Sequence, residues 1–416
     1  MRVGSRRTGL AVALFFAFKI GLGGAVLIAS AHWMSVASFA VFSQLLVLIA
    51  YLASVGTAGM QNGLIRQIAA ADGNATAIAR EVRAALLIWA AVALLLVAGC
   101  VLSRAWIASL LTGHRDIAWV VPWLALLAIW AGLGQLLCSV LTGCGRAGSA
   151  LFAQGLGLFA GTVPAMLLLH RGLPAEAALA LTGGQGTTTV LAAARVRALL
   201  RGAWHERSSV RAEVRRLLSF SGSFLATTSI MPLTLIGLRS FYRARFGLEA
   251  LGYWLAANRI SDVNTQLLGL YMVQAFLPAM ASAAPGERRM LALRTAAFAL
   301  AVMAIPLVLF LTAPAWLVKT FLSAKFLPAT TFFIAYFLGD MLRVGASTAT
   351  FAALAQARLK LYVALEAFAA TLMGTLVVLL GSSGLVDAPA VAYPVCYGLI
   401  LIAALLFTLR RRKRPV

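Results

Sequence analysis

Six ionisable side chains lie deep inside long apolar runs of this chain: Lys19, Arg259, Asp262, Asp340, Arg343 and Glu366. A charge in such a run is costly to bury and generally marks a pathway or a polar cavity. Arg259 and Asp262 stand three residues apart, so on a helix they share a face. Asp340 and Arg343 repeat that spacing in the opposite order. Two readings stay open for these pairs. Each pair neutralises itself and lowers the cost of burial, or both face an aqueous cavity in which the arginines bind an anionic head group. A guanidinium suits phosphate because its fork makes paired hydrogen bonds. Lys19 has no acidic neighbour in its own run and lies too near the middle to reach an interface. It must face a cavity or pair with another helix. Glu366 lies a turn or two from the end of its run, as a solvated edge residue or as a proton-coupling carboxylate.

Amides extend this polar set. Gln44 lies in the second run with Gln61 and Asn62 at its end, Gln154 in the fifth, and Asn258, Gln266 and Gln274 in the eighth. Such groups suit hydrogen bonds to sugar hydroxyls, and equally suit joining one helix to another. The spacing of the other candidate motifs excludes more than it offers. Gly183-Gly184-Gln185-Gly186-Thr187-Thr188 lacks the lysine of a phosphate-binding loop,. Gly143, Gly145 and Gly148 match a dinucleotide fingerprint, but no strand precedes them. Gly157 and Gly161 have the spacing of a close helix contact. The cysteines (Cys100, Cys138, Cys144, Cys396) and the histidines (His32, His114, His170, His205) are scattered without metal or disulfide spacing,. No catalytic residue, metal or cofactor is expected, apart from H+ or Na+ as a coupling ion.

The elements that position these residues follow from composition. The chain of 416 residues is 62% hydrophobic and 11% charged, with a mean hydropathy of +0.93. A soluble domain is nearer half apolar and a quarter charged, so lipid is the solvent here. Backbone groups in hydrocarbon must be satisfied within the segment, which leaves helices or a closed barrel. The runs are far longer than the alternating segments of a barrel. Spans are expected near 8–30, 37–61, 84–103, 117–141, 149–170 and 175–195, then 217–239, 250–280, 291–313, 329–353, 361–381 and 388–409. The expected fold is therefore an all-α membrane protein of about twelve transmembrane helices. An uncleaved first helix is expected rather than a signal peptide, because no clean cleavage site precedes the second span.

Of the 35 lysines and arginines, 24 fall on one side of these spans and eight on the other. The basic side includes both termini, the group from Arg195 to Arg216, and the tail Arg410 to Arg414. Positive loops face the cytoplasm, so the net charge of +23 is topological and does not call for nucleic acid. The same charge favours anionic membrane lipids. Both termini are expected in the cytoplasm.

The halves repeat weakly. Trp106-Ile107 answers Trp316-Leu317, Phe39 to Phe42 answers Leu251 to Trp254, and Gln154 answers Glu366, at offsets of 210 and 212. Two parallel six-helix lobes are expected, 1–205 and 206–416, the second ending in the basic tail. Parallel repeats with a site between them are a transporter architecture. The outer loops are too short to house the grouped catalytic residues of a glycan polymerase or glycosyltransferase.

Several segments resemble the Wzx-type flippases of undecaprenyl-diphosphate-linked oligosaccharides, in the polysaccharide transporter family of the MOP superfamily. They are Phe18-Lys19-Ile20-Gly21, Gln61-Asn62-Gly63, Leu251-Gly252-Tyr253-Trp254 through Ile260-Ser261-Asp262 to Leu277-Pro278, and Leu322-Ser323-Ala324-Lys325-Phe326. Gly339-Asp340-Met341-Leu342-Arg343-Val344-Gly345-Ala346 and Leu365-Glu366 belong with them. The likeness covers nearly the whole length and is nearest the enterobacterial-common-antigen (lipid III) branch. It implies a V-shaped, MATE-like transporter of two lobes working by alternating access in the bacterial inner membrane. The implied substrate is a lipid-linked repeat unit of the O-antigen or enterobacterial-common-antigen kind. The implied partners are a glycan polymerase and a chain-length regulator. On that resemblance Lys19, Arg259 and Arg343 form a cationic cavity, with Asp262, Asp340 and Glu366 pairing charge or coupling an ion. Arg343 stands where the branch is expected to have lysine, and Arg259 is an addition to its pattern. The rivals are a MATE-like exporter of cationic drugs, whose cavity would be acidic or apolar, and a lipid II flippase, which carries two further helices.

Overall fold

The computed structural model describes residues 6–71, 73–197, 199, 201, 209–272, 276–284, 286–355 and 359–409. Regular structure among them is entirely helical. The order begins α1 (Arg6–Trp33), α2 (Val36–Gly56), a short α3 (Gln61–Ala70), α4 (Ala75–Leu102), a short α5 (Arg104–Thr112), α6 (Val120–Gly143), α7 (Ala147–His170) and α8 (Pro174–Arg195). It continues with α9 (Arg211–Tyr271), α10 (Leu277–Ser282), α11 (Arg288–Thr312) and a short α12 (Pro314–Phe321). A 3-10 turn (Ala324–Ala329), α13 (Thr330–Ala355), α14 (Leu359–Ser382) and α15 (Ala388–Leu409) complete it. Gln274 and the basic tail Arg410 to Arg414 lie outside the described residues.

The hydrogen-bonded run of α9 hides a reversal. Gly247 sits at φ 88° and ψ 171°, a conformation that essentially only glycine adopts. Tyr242 and Trp254 would stand about 18 Å apart on a straight helix, yet their ring centroids meet at 5.1 Å. The chain therefore turns back at Gly247, and α9 is two antiparallel segments. With that division, the described residues hold twelve helical stretches long enough to span a bilayer, six in each half. Seven helices are apolar enough to cross by length and composition alone. The helices carrying Arg259–Asp262 and Asp340–Arg343 are not among them, because their charges interrupt the apolar pattern.

Three expectations need correction. The second span stops at Gly56, and Gln61 and Asn62 open a separate helix instead of closing α2. The third span begins at Ala75, where the Asn74 side chain caps the helix by accepting from the Ala77 N–H at 3.1 Å,. This places Arg80 and Arg83 on the first turns of α4. The loop expected over 240–249 is helical up to Gly247, and Arg239, counted among the eight basic residues of the outer side, is buried in the protein.

By compactness the chain divides into Met1–Pro232 and Leu233–Val416. In the first unit, α7 packs on α8 and on α1, while α6 packs on α8. The α7–α8 contact is made by missing side chains. A Cβ on Gly161 would lie 2.6 Å from the Leu181 carbonyl oxygen, and one on Gly184 would lie 2.0 Å from the Gly161 Cα. The Gly157/Gly161 spacing thus serves helix packing, since without water a close backbone approach is what attracts helices. Val210, just before α9, and Leu217, near its start, join the apolar core that includes residues of α3, α4 and α6. In the second unit, α13 packs against α11 and α15, over a core that includes Leu268, Met272, Met303 and Val344.

Candidate polar site in the second unit

The charges singled out in the second half converge on the outbound and returning segments of α9, on α13, and on α14 and α15. Asp340 is 0% exposed. Its carboxylate accepts from Ser261 Oγ at 2.5 Å, from Asn264 Nδ2 at 3.2 Å and from the Tyr393 hydroxyl at 2.9 Å. Ser261 and Asn264 reach it from α9, and Tyr393 from α15. A buried carboxylate needs such donors to offset its desolvation.

Arg343 is joined to this carboxylate indirectly. Its Nη1 donates to the Tyr393 hydroxyl at 3.2 Å, and its guanidinium lies 5.5 Å from the centroid of the Tyr397 ring. The i, i+3 spacing of Asp340 and Arg343 therefore leads to a link through a third residue. Glu366, on α14, is partly exposed and faces Arg343 electrostatically. Among the described residues no side chain donates a hydrogen bond to it.

Arg239 is the addition that the sequence did not single out. It is 3% exposed and donates through Nη2 to Asn258 Oδ1 across the α9 hairpin. Arg259, Asp262 and Tyr336 are its electrostatic neighbours. Asp262 also acts on Arg259 and Arg343. One carboxylate thus lies in the electrostatic neighbourhood of three arginines, where the spacing offered only a local pair with Arg259. Tyr336, Tyr393, Tyr397 and Trp254 are aromatic neighbours of this cluster. Trp254 Nε1 donates to the Tyr336 hydroxyl, and Tyr336 stacks on Tyr393 with centroids 4.4 Å apart. The available signal for Arg239 was Gly247, one of four glycines between Pro232 and Leu277 and the one among them with a positive φ. Tyr393 and Tyr397 gave only an i, i+4 pair in an apolar run.

The remaining candidates are placed separately. Gln266 is exposed on α9. In the first unit, Lys19 is exposed on α1 beside Gly21, Gly23 and Gly24, where an added Cβ would meet open space. Gln44 is fully buried and donates to the Leu111 carbonyl at 3.4 Å, joining α2 to α5. Gln61 and Asn62 stand on the first turn of α3, the latter exposed. Gln154 is partly buried against the Cys138 thiol.

Comparison with known proteins agrees with this architecture. The chain is 26% identical over 374 residues to the lipid III flippase of Escherichia coli (strain K12), covering 85% of this chain and 86% of that one. The lipid III flippase of Shigella flexneri matches to the same extent. A multidrug resistance MATE family transporter of the MOP superfamily, in its inward-facing conformation, shares the fold with a TM-score of 0.76 at 12% identity, over 94% of both chains. The lipid II flippase MurJ, inward closed, does so with a TM-score of 0.72 at 14% identity, over 95% of this chain and 86% of that one. These relatives are flippases and transporters rather than enzymes. The family described as polysaccharide biosynthesis protein matches residues 10–284. A multi-pass helical membrane protein, this chain belongs to the polysaccharide biosynthesis protein family.

Proposed function

We propose that the protein moves an undecaprenyl-diphosphate-linked oligosaccharide from the cytoplasmic to the outer leaflet of a bacterial inner membrane by alternating access. The observation that carries this reading is that Arg239, Arg259 and Arg343 all lie in the electrostatic neighbourhood of Asp262 inside an apolar unit. Lipid makes three guanidinium groups expensive to retain. A diphosphate is the ligand whose charge and geometry match them, through forked hydrogen bonds. Lys19, exposed within an apolar helix of the first unit, supplies a further cation. Amides such as Asn62 and Gln266 are available to sugar hydroxyls, and the polyprenyl tail stays in lipid.

The repeat unit is of the O-antigen or enterobacterial-common-antigen kind, and a glycan polymerase and a chain-length regulator act on the delivered product. Return of the empty carrier is coupled to H+ or Na+ through Asp262, Asp340 or Glu366. Both termini are cytoplasmic. An exporter of cationic drugs, the other function seen on this fold, would set its cargo against three arginines of like charge.

The test is complementation of strains lacking defined flippases. The wild-type chain is expected to restore surface glycan in one of them. Arg343→Ala, at equal membrane abundance, is expected to lower it about tenfold to a hundredfold, the equivalent of one charge-assisted contact. Lys19→Ala is expected to do likewise, and Lys19→Arg to keep part of the activity. Full surface glycan in both alanine variants sinks the cationic site.

A further inference from the structure

Tyr393 joins two charges of the second unit, Asp340 and Arg343, and the chemistry of the arginine sets the direction of its hydrogen bonds. Arg343 can only donate, so the Tyr393 oxygen accepts from Nη1 at 3.2 Å,. The single phenolic proton is then free to go to Asp340 Oδ1 at 2.9 Å. That chain requires an acceptor at its end. Ser261 and Asn264 donate to the same carboxylate, which therefore receives three donors and exposes nothing to solvent. Donors on both oxygens fix the position of this carboxylate.

The ring is fixed as firmly as the hydroxyl. Gly339, the residue before Asp340, leaves the gap into which the ring fits: a Cβ there would lie 2.1 Å from Tyr393 Cδ1. Tyr336 stacks on one face with an interplanar angle of 11°. Tyr397 meets the ring edge-on at 5.0 Å and also lies beneath the Arg343 guanidinium. Among the described residues Arg343 makes no second hydrogen bond, so its other N–H donors remain available to a ligand.

We propose that Tyr393 is a positioning residue that aims Arg343 at the anionic head group by tying its guanidinium, through the phenolic oxygen, to Asp340. This rests on the function proposed above and narrows it, because it gives Asp340 the task of anchoring Arg343. The charged and titratable groups around the tie are Arg343 on its own helix, Tyr393 and Tyr397 on α15, Asp262 on α9 and Glu366 on α14.

The test measures the affinity of the purified full-length protein for undecaprenyl diphosphate, across the neutral pH range. Tyr393→Phe keeps the stacked ring and loses only the hydroxyl. It is expected to weaken binding roughly threefold to tenfold, as for one hydrogen bond. Asp340→Asn is expected to weaken it by a similar factor, and the double variant by no more than either alone, since both break one chain. Gly339→Ala keeps every polar group, displaces the ring, and is expected to reproduce the Tyr393→Phe loss. Two results overturn the inference: Tyr393→Phe binds like wild type, or the two losses add. If the wild type itself fails to bind undecaprenyl diphosphate, the diphosphate reading falls and takes this inference with it.

Discussion

Buried arginine is the feature of single residues that most constrains this protein. Arg239 is nearly inaccessible, donates to Asn258 and has Asp262 as an electrostatic neighbour. Arg239→Met keeps the length of the side chain but leaves Asn258 Oδ1 without this donor and Asp262 without a neighbouring positive charge. The expected loss is about 1–3 kcal/mol of stability, read as a lower thermal unfolding midpoint of the purified protein. An unchanged midpoint would show that Arg239 is not held by these partners. Asn258→Ala breaks only one of the contacts and is expected to cost less. The sequence marked Asn258, Arg259 and Asp262 because their runs were unmistakably apolar. It did not mark Arg239, because the polar stretch Arg239 to Arg245 has the composition of a loop. Only the fold shows that Gly247 alone makes the turn.

At the level of elements, two glycines one position apart predict opposite outcomes. Gly184→Ala drives a methyl group into the Gly161 backbone and is expected to cost about 1–3 kcal/mol or more through overpacking. Gly183→Ala meets only the Leu127 side chain at 3.8 Å and is expected to be nearly neutral. Comparing membrane yield and melting of the two variants checks the α7–α8 contact, and equal losses would refute it. The short helices α5 and α12 offer a second case. They follow the third long helix of each half, and their Trp106 and Trp316 are 63% and 62% exposed. Their other faces are buried through Ala108 and Leu111, and through Leu317 and Val318. Tryptophan with a neighbouring cation, here Arg104 and Lys319, suits the headgroup layer. Single-tryptophan variants retaining Trp106 or Trp316 are expected to be quenched more by lipids brominated near the carbonyls than by those brominated deep in the chains. The reverse order would place these helices in the hydrocarbon.

The whole molecule is expected to have both termini in the cytoplasm, from the 24-to-eight division of basic residues,. Moving Arg239 from the outer side to the interior strengthens that asymmetry. Reporter fusions after Gly113 and after Ser382 are expected to read as external, and fusions at the C-terminus as cytoplasmic. External activity at the C-terminus would overturn the assignment. The repeat also belongs to this scale. Trp106 and Trp316 occupy equivalent short helices, and Phe39, Phe42, Leu251 and Trp254 are all buried. Such a repeat would place six long stretches in each half, the number that the described residues hold.

Hydropathy alone determined that the chain is helical, spans a membrane about twelve times and carries its charges asymmetrically. These properties depend on composition summed over about 20 residues, the thickness of the hydrocarbon, and no distant contact can reverse them. The spacing of intramembrane charges also told which side chains to watch. Who partners whom was decided only by tertiary structure. Asp340 and Arg343 are three residues apart, yet Tyr393, some fifty residues later, joins them, and it can do so because Gly339 leaves room for its ring. A tyrosine in an apolar run has no local signature for that role. Its hydroxyl acquires one when helices far apart in sequence pack together and water is excluded, so that every donor must find the acceptor within its reach.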